Sequence, residues 1–144
     1  MSDDFATNGR PDRVIVVVDE SLPPGLAANA AAMLALTLGA RVPGLTGAPL
    51  VDASGASHPG LIPDGIPVLK ASAAALRAIR ERARDSDDVL TVTFPAAGQR
   101  TNDYEEVRRR IAATPPGDLE YAGVALHGPR KRISRLTGTL PLLR

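Results

Sequence analysis

The run Val14-Ile15-Val16-Val17-Val18 constrains this chain more than any other segment. Five consecutive β-branched residues lose side-chain freedom in a helix and pack well on a pleated surface, so they predict a strand. Because no polar residue alternates with them, the strand should be central and covered on both faces, as strands of parallel sheets are. Asp19-Glu20 ends it. The loop Leu22-Pro23-Pro24-Gly25-Leu26-Ala27 then leads into an alanine-rich stretch, Leu26 to Leu38, with only Asn29 and Thr37 as polar side chains. With Gly39 as its stop, this stretch reads as a buried helix lying on the sheet. A strand feeding a helix through a glycine loop gathers helix-start N–H groups and the helix dipole where many α/β enzymes place a pocket. Here Leu26, Ala27 and Ala28 stand where a lysine, serine or carboxylate would supply the chemistry.

The alternation of strands and helices continues. Glycine and proline recur between Arg41 and Pro67, and Asp52-Ala53-Ser54-Gly55 predicts the turn of a small hairpin between Leu50-Val51 and Ser57-His58. Val68 to Ala71 is a short strand, followed by a helix capped by Ser72 with Ala73, Leu76, Ile79 and Ala83 on one face. Val89 to Phe94 alternates Leu90, Val92 and Phe94 against Thr91 and Thr93, and Pro95 ends it. Asn102 with Glu105 forms a capping box for a third helix, in which Tyr104, Val107 and Ile111 share a face. Glu105 with Arg109 and Glu106 with Arg110 have the spacing of i,i+4 ion pairs. The final unit is a strand from Tyr121 to His127, a break at Gly128, Pro129 at a helix N1 position, and a short basic helix to Thr137 stopped by Gly138. Leu140, Leu142 and Leu143 then fold back onto the body. The fold class that follows is α/β, a three-layer α-β-α sandwich of about four strands. A chain of 144 residues suits one such domain, from residue 13 to residue 144, behind a flexible N-terminal arm of residues 1–12.

Composition narrows the chemistry. With two Phe, two Tyr and no Trp, the core must be built from Ala, Val, Leu and Ile, and the lack of cysteine removes disulfides, thiolate nucleophiles and Cys-ligated metals together. Neither of the two histidines has an acid at helical spacing, so no metal site and no cofactor is expected. No segment reaches the roughly 18 to 20 apolar residues needed to cross a bilayer, and the start Met1-Ser2-Asp3-Asp4 is acidic where a secretory leader is basic, which predicts a cytoplasmic protein without membrane contact. Net charge is +1, so any attraction for phosphate must be local. Arg130, Lys131, Arg132 and Arg135, at the start of the last helix, are the candidate anion site. The bland reading of such a run is a solvated helix face. Ser54 and Ser57 lie near His58, but in a turn-rich stretch where serine is ordinary.

Several separated segments resemble a bacterial family, domain of unknown function 2000. They are Leu22-Pro23-Pro24-Gly25-Leu26-Ala27-Ala28-Asn29, His58-Pro59-Gly60-Leu61, Pro67-Val68-Leu69-Lys70-Ala71, Asp103-Tyr104-Glu105-Glu106, and Gly128-Pro129-Arg130 through Leu136-Thr137-Gly138-Thr139-Leu140-Pro141-Leu142. That family is similar in fold to the type 2 peptidyl-tRNA hydrolases, which implies a mixed four-stranded sheet sandwiched by helices. The hydrolases carry lysines in the glycine loop and first helical turn, and an aspartate in an Asp-Ala-Gly-Arg-Thr loop after the third strand. This chain has Leu26 and Ala28 near the first and Ala96-Ala97-Gly98-Gln99-Arg100-Thr101 near the second, so only Gly98, Arg100 and Thr101 carry over. Methyl groups neither stabilise developing negative charge nor orient water.

These readings predict a protein that has lost hydrolase catalysis and binds a nucleotide, RNA or small anionic ligand through Gly25, Asn29, Arg100, Thr101, Arg130 and Arg132. A hydrolase of altered chemistry, using water activated by His127 or by backbone groups at the Gly25 loop, is the alternative; its mark would be a histidine and an acid converging in one pocket. A homodimer built on the apolar first helix and the Leu140 to Leu143 tail is a third expectation.

Overall fold

A computed structural model describes residues 12–144. The expected N-terminal arm lies outside the described residues except for Asp12, which already belongs to the first strand. β1 (Asp12–Asp19) is followed by α1 (Pro24–Arg41), the hairpin strands β2 (Leu50–Val51) and β3 (Ser57–His58), β4 (Val68–Ala71) and α2 (Ala73–Arg84). Then come β5 (Leu90–Pro95), a 3-10 turn (Ala96–Gln99), α3 (Tyr104–Ala112), β6 (Tyr121–Pro129) and α4 (Arg130–Thr137).

β4, β1, β6 and β5, in that order, make a four-stranded sheet. The β-branched run is central as expected, but only one of its neighbours is parallel: Val17 pairs with Leu69 of β4 in parallel and with Val124 of β6 in antiparallel register. β5 joins the other side of β6 antiparallel, with a bulge where Phe94 pairs with Gly123 and Pro95 with Tyr121. Alternation along β1 divides the core. Ile15 and Val17, with Val124 and Leu126, pack beneath Leu76 and Ile79 of α2 and Ile133 and Leu136 of α4. Val14, Val16 and Val18, with Ala122 and Ala125, pack beneath Ala27, Ala30, Leu34 and Leu38 of α1. Small residues let α1 lie close to β6. At Gly123 an added Cβ would stand 2.6 Å from the Val17 carbonyl oxygen and 2.9 Å from Leu34 Cδ1.

Several local expectations need correction. α1 runs through Gly39 to Arg41, because Leu38 is buried and its carbonyl still accepts the Val42 N–H; the cost of one helical glycine, about 1 kcal/mol, is outweighed by that anchor. Nor is α1 buried all round: spacings of three and four put Ala27, Ala30, Leu34 and Leu38 inside and leave Leu36 76% exposed. On α2 the inward face is Leu76, Ile79 and Ala83, while Ala73 is exposed. β5 begins at Leu90 rather than Val89 and takes in Pro95, which an edge strand tolerates at its end. β6 does not break at Gly128, which pairs with Arg13; the glycine is needed because a Cβ there would meet the Asp88 carbonyl oxygen at 2.8 Å. α3 is capped one residue later than predicted, by Asp103, whose carboxylate accepts the Glu105 and Glu106 N–H groups. Glu105 pairs with Arg108 at i,i+3, not with Arg109, whereas Glu106 pairs with Arg110 as expected.

The hairpin, the Ser72 cap and the last helix stand where the sequence puts them. The tail folds back as expected, and it does so onto the outer edge of β4: the Lys70 N–H donates to the Pro141 carbonyl at 3.0 Å and the Leu143 N–H to the Val68 carbonyl at 2.8 Å. Among the described residues no helix is long and apolar enough to cross a membrane.

Candidate functional site

α3 has the sequence of an amphipathic helix, yet it buries no residue. Its apolar face, Tyr104, Val107 and Ile111, is the one that the sequence marks out. That face forms one wall of a groove of about 700 Å³. α1 forms the opposite wall with Asn29, Met33 and Thr37, and Val92 and Phe94 of β5 line the space between. Thr93, Thr101 and Asn102 add hydroxyl and amide groups, and Arg108 is the one cation that the described residues place on the lining. Among the described residues the lining holds no histidine and no carboxylate. An apolar surface with a few hydrogen-bonding groups is the ordinary make-up of a small-molecule site.

The loop after β5 ties the two walls together. Gln99 Nε2 donates to the Leu26 carbonyl at 2.9 Å and to Asn29 Oδ1 at 3.3 Å, which fixes the Asn29 side chain at the groove margin. Thr101 donates its hydroxyl to Glu106 Oε2 at 3.0 Å and accepts the Asp103 N–H at 3.1 Å. The Thr101 hydroxyl, and after it Arg110, hold the Glu106 carboxyl below its ordinary range. Arg108 reaches both carboxylate oxygens of Glu105, at 3.2 and 3.1 Å.

The six sequence-predicted site residues do not form one site. Asn29 and Thr101 line the groove. Gly25 is the second residue of α1 rather than part of a tight loop, is exposed, and has open space around it, so nothing there demands glycine. Arg100 is 63% exposed and lies 3.9 Å from Glu120. Arg130 and Arg132 belong to α4, which packs on the opposite face of the sheet. Arg132 lies 3.4 Å from Asp88, whereas Arg130 has its Nε and Nη2 buried without a hydrogen-bond partner. Gln99, Met33 and Tyr104 were missed. Helical spacing marks Tyr104 as part of an apolar face, but that spacing is identical for a face that meets a sheet and one that meets a groove.

Two histidine clusters stand apart from the groove. His58 Nε2 lies 2.9 Å from Asp52 Oδ2, and the Ser54 hydroxyl donates to Asp52 Oδ1 at 2.6 Å. The serine therefore bonds the carboxylate and not the imidazole, which is turn bracing rather than a nucleophile and its base. Those bonds, Ser54's first, lower the Asp52 carboxyl to about 2. At the other end of the sheet, a cavity of about 350 Å³ is bordered by Asp12, Arg13, Asp64 and His127, with Val42, Leu45 and Ile62 as apolar neighbours. His127 Nε2 is 3.8 Å from Asp12 Oδ2, beyond hydrogen-bond reach. Among the described residues no group of three or more potential ligands is placed to hold a metal ion.

Comparison with known proteins agrees with this architecture. A protein of unknown function from Agrobacterium tumefaciens strain C58, Atu0240, has a solved structure that superimposes with a TM-score of 0.83 at 23% identity, covering 92% of this chain and 97% of that one. At that identity the likeness is one of fold. No curated protein matches the chain. The family model described as "Protein of unknown function (DUF2000)" matches residues 12–144, and the chain belongs to that family.

Proposed function

We propose that this chain is a non-hydrolytic ligand-binding module on a peptidyl-tRNA hydrolase type 2-like, three-layer α-β-α sandwich. Its ligand is a small molecule with an apolar or aromatic body and a polar or singly anionic group, seated between α1, β5 and α3. One observation carries the reading: the groove of about 700 Å³ is lined by apolar, amide and hydroxyl groups and, among the described residues, by no imidazole, carboxylate or ammonium that could move a proton. Asn29, Thr93 and Thr101 orient the polar end, and Arg108 receives a negative charge by leaving Glu105, an exposed pairing that costs little to break.

The test is a thermal-shift screen with nucleotides and N-acyl-aminoacyl esters on the wild type and on Met33→Trp, which fills the groove. A ligand at a hundred times its Kd adds about 2.7 kcal/mol, which is a rise of roughly 5–10 °C for a domain of this size. Loss of that rise in Met33→Trp supports the reading. Stabilisation by none of the compounds, or equal stabilisation of the variant, would overturn it.

A second reading is favoured by the cavity at the start of β1, where a histidine and acids do converge. There His127, once oriented by Asp12, would activate water for a hydrolase of altered chemistry. Ester hydrolysis abolished by His127→Gln but untouched by Met33→Trp would select it.

A further inference from the structure

Charge is distributed far less evenly than a net value of +1 suggests. α2 and α4 together carry eight of the chain's 17 lysines and arginines, Arg77, Arg80, Arg82, Arg84, Arg130, Lys131, Arg132 and Arg135, but only one of its 16 acids, Glu81. The sequence separates these two helices widely; the fold sets them side by side on one face of the sheet. Leu76, Ile79, Ile133 and Leu136 share a core cluster, and Arg82 Nη2 donates to the Arg135 carbonyl at 3.0 Å. The turn after α2 adds Asp85, Asp87 and Asp88, of which Asp88 reaches Arg132 at 3.4 Å, and Glu81 engages Arg84 at 2.8 Å. Both are exposed pairs, easily exchanged for another anion. Arg82, Lys131 and Arg135 are exposed and have no ion pair among the described residues.

We infer that the joint face of α2 and α4 binds the sugar-phosphate backbone of a double-helical nucleic acid without reading its sequence. This goes beyond the groove, which lies across the sheet and plays no part in it. Arg77, bonded to the Leu119 carbonyl, and Arg130, with Nε and Nη2 buried, are turned to the body, which leaves Lys131 and five arginines, whose planar forks match phosphate oxygens. Neither helix bears an aromatic residue, so bases have no platform to stack on and an unpaired strand gains nothing over a duplex. Neither contributes a large exposed hydrophobic, which a membrane-surface helix would insert among lipids.

The experiment measures fluorescence anisotropy of a labelled 20-base-pair duplex, as DNA and as RNA, between about 50 and 200 mM salt, where phosphate neutralisation dominates the salt response. Wild type should bind duplexes of unrelated sequence equally. Lys131→Gln/Arg132→Gln/Arg135→Gln should bind at least about tenfold more weakly at the lowest salt, and its log–log salt slope should be shallower by about three, one for each phosphate that is no longer neutralised. Arg41→Gln/Arg109→Gln, which removes as many exposed cations as Lys131→Gln/Arg135→Gln but none from α2 or α4, should bind as wild type does. If the triple variant melts early, Lys131→Gln/Arg135→Gln replaces it, since neither side chain makes a hydrogen bond among the described residues. Met33→Trp should bind the duplex normally, which separates this inference from the groove. Absence of binding at the lowest salt, unchanged binding by the triple variant, or capture by phosphatidylserine vesicles in preference to both duplexes would overturn it; a preference between the DNA and RNA arms identifies the duplex.

Discussion

Replacing Gly123 by alanine tests how α1 is held against the sheet. The added methyl group would lie 2.6 Å from the Val17 carbonyl oxygen and 2.9 Å from Leu34 Cδ1, both well inside contact distance. Leu34 can turn or shift, but it is 1% exposed and has little room; Val17 is backbone in the neighbouring strand, so β1 and β6 must part locally. Overpacking a close-packed site costs about 1–3 kcal/mol, and the backbone obstacle puts Gly123→Ala in the upper half of that range. For a domain of this size each kcal/mol lowers Tm by about 2–4 °C, so the expected fall is roughly 4–12 °C. Thermal and urea unfolding followed by circular dichroism measure it. A double-mutant cycle adds a sharper criterion. Leu34→Ala alone should cost about 3–5 kcal/mol as a cavity mutation; in the Gly123→Ala background it should cost visibly less, because it makes room for the new methyl group. A Tm within about 1 °C of wild type, or strictly additive losses, would refute the close-approach argument.

Asp52 offers a pH test. Its folded pKa, about 2, lies below the ordinary 3.8, so its bracing of the hairpin is complete above the ordinary value and is lost as pH falls through about 2. The amide shifts of Ser54 and Ala56, both donors to Asp52 Oδ1, should therefore titrate with a midpoint near 2, and a midpoint at 3.8 contradicts the network. Asp103→Ala removes the cap of α3 and should cost about 0.5–2 kcal/mol. Because α3 buries no residue, the loss should show as faster hydrogen exchange confined to its own amides with little change in global Tm; an even loss across the domain would mean that α3 is integral to the core.

How much of this was written in the sequence depended on whether a signal is local. The Leu50-Val51 and Ser57-His58 hairpin was legible because turn chemistry at Asp52 and Gly55 acts within a few residues, and Gly55 does adopt a positive φ of 85°. The Ser72 cap was legible for the same reason, and the tail's return was legible from its leucines but not the strand edge that receives it. Gly39 and Gly128 misled because the reasons for glycine there, or for tolerating it, lie outside the segment: a buried Leu38 on one hand, the Asp88 carbonyl of a distant turn on the other. The candidate site was least legible. Asn29 and Thr101 line one groove, where Gln99 bridges the loop to α1 through a hydrogen bond between residues 70 positions apart in the chain. The basic run on α4 was visible, but its partner helix was not, since which helices become neighbours is settled by topology.

The bonds from Lys70 and Leu143 at the margin of β4 have a consequence for synthesis. Until the segment around Pro141 has been made, β4 presents an open row of backbone groups, the kind of template on which nascent chains stick to one another. The sheet of this protein is thus sealed on that side by residues translated long after β4 itself, and its safest folding is folding that waits for them.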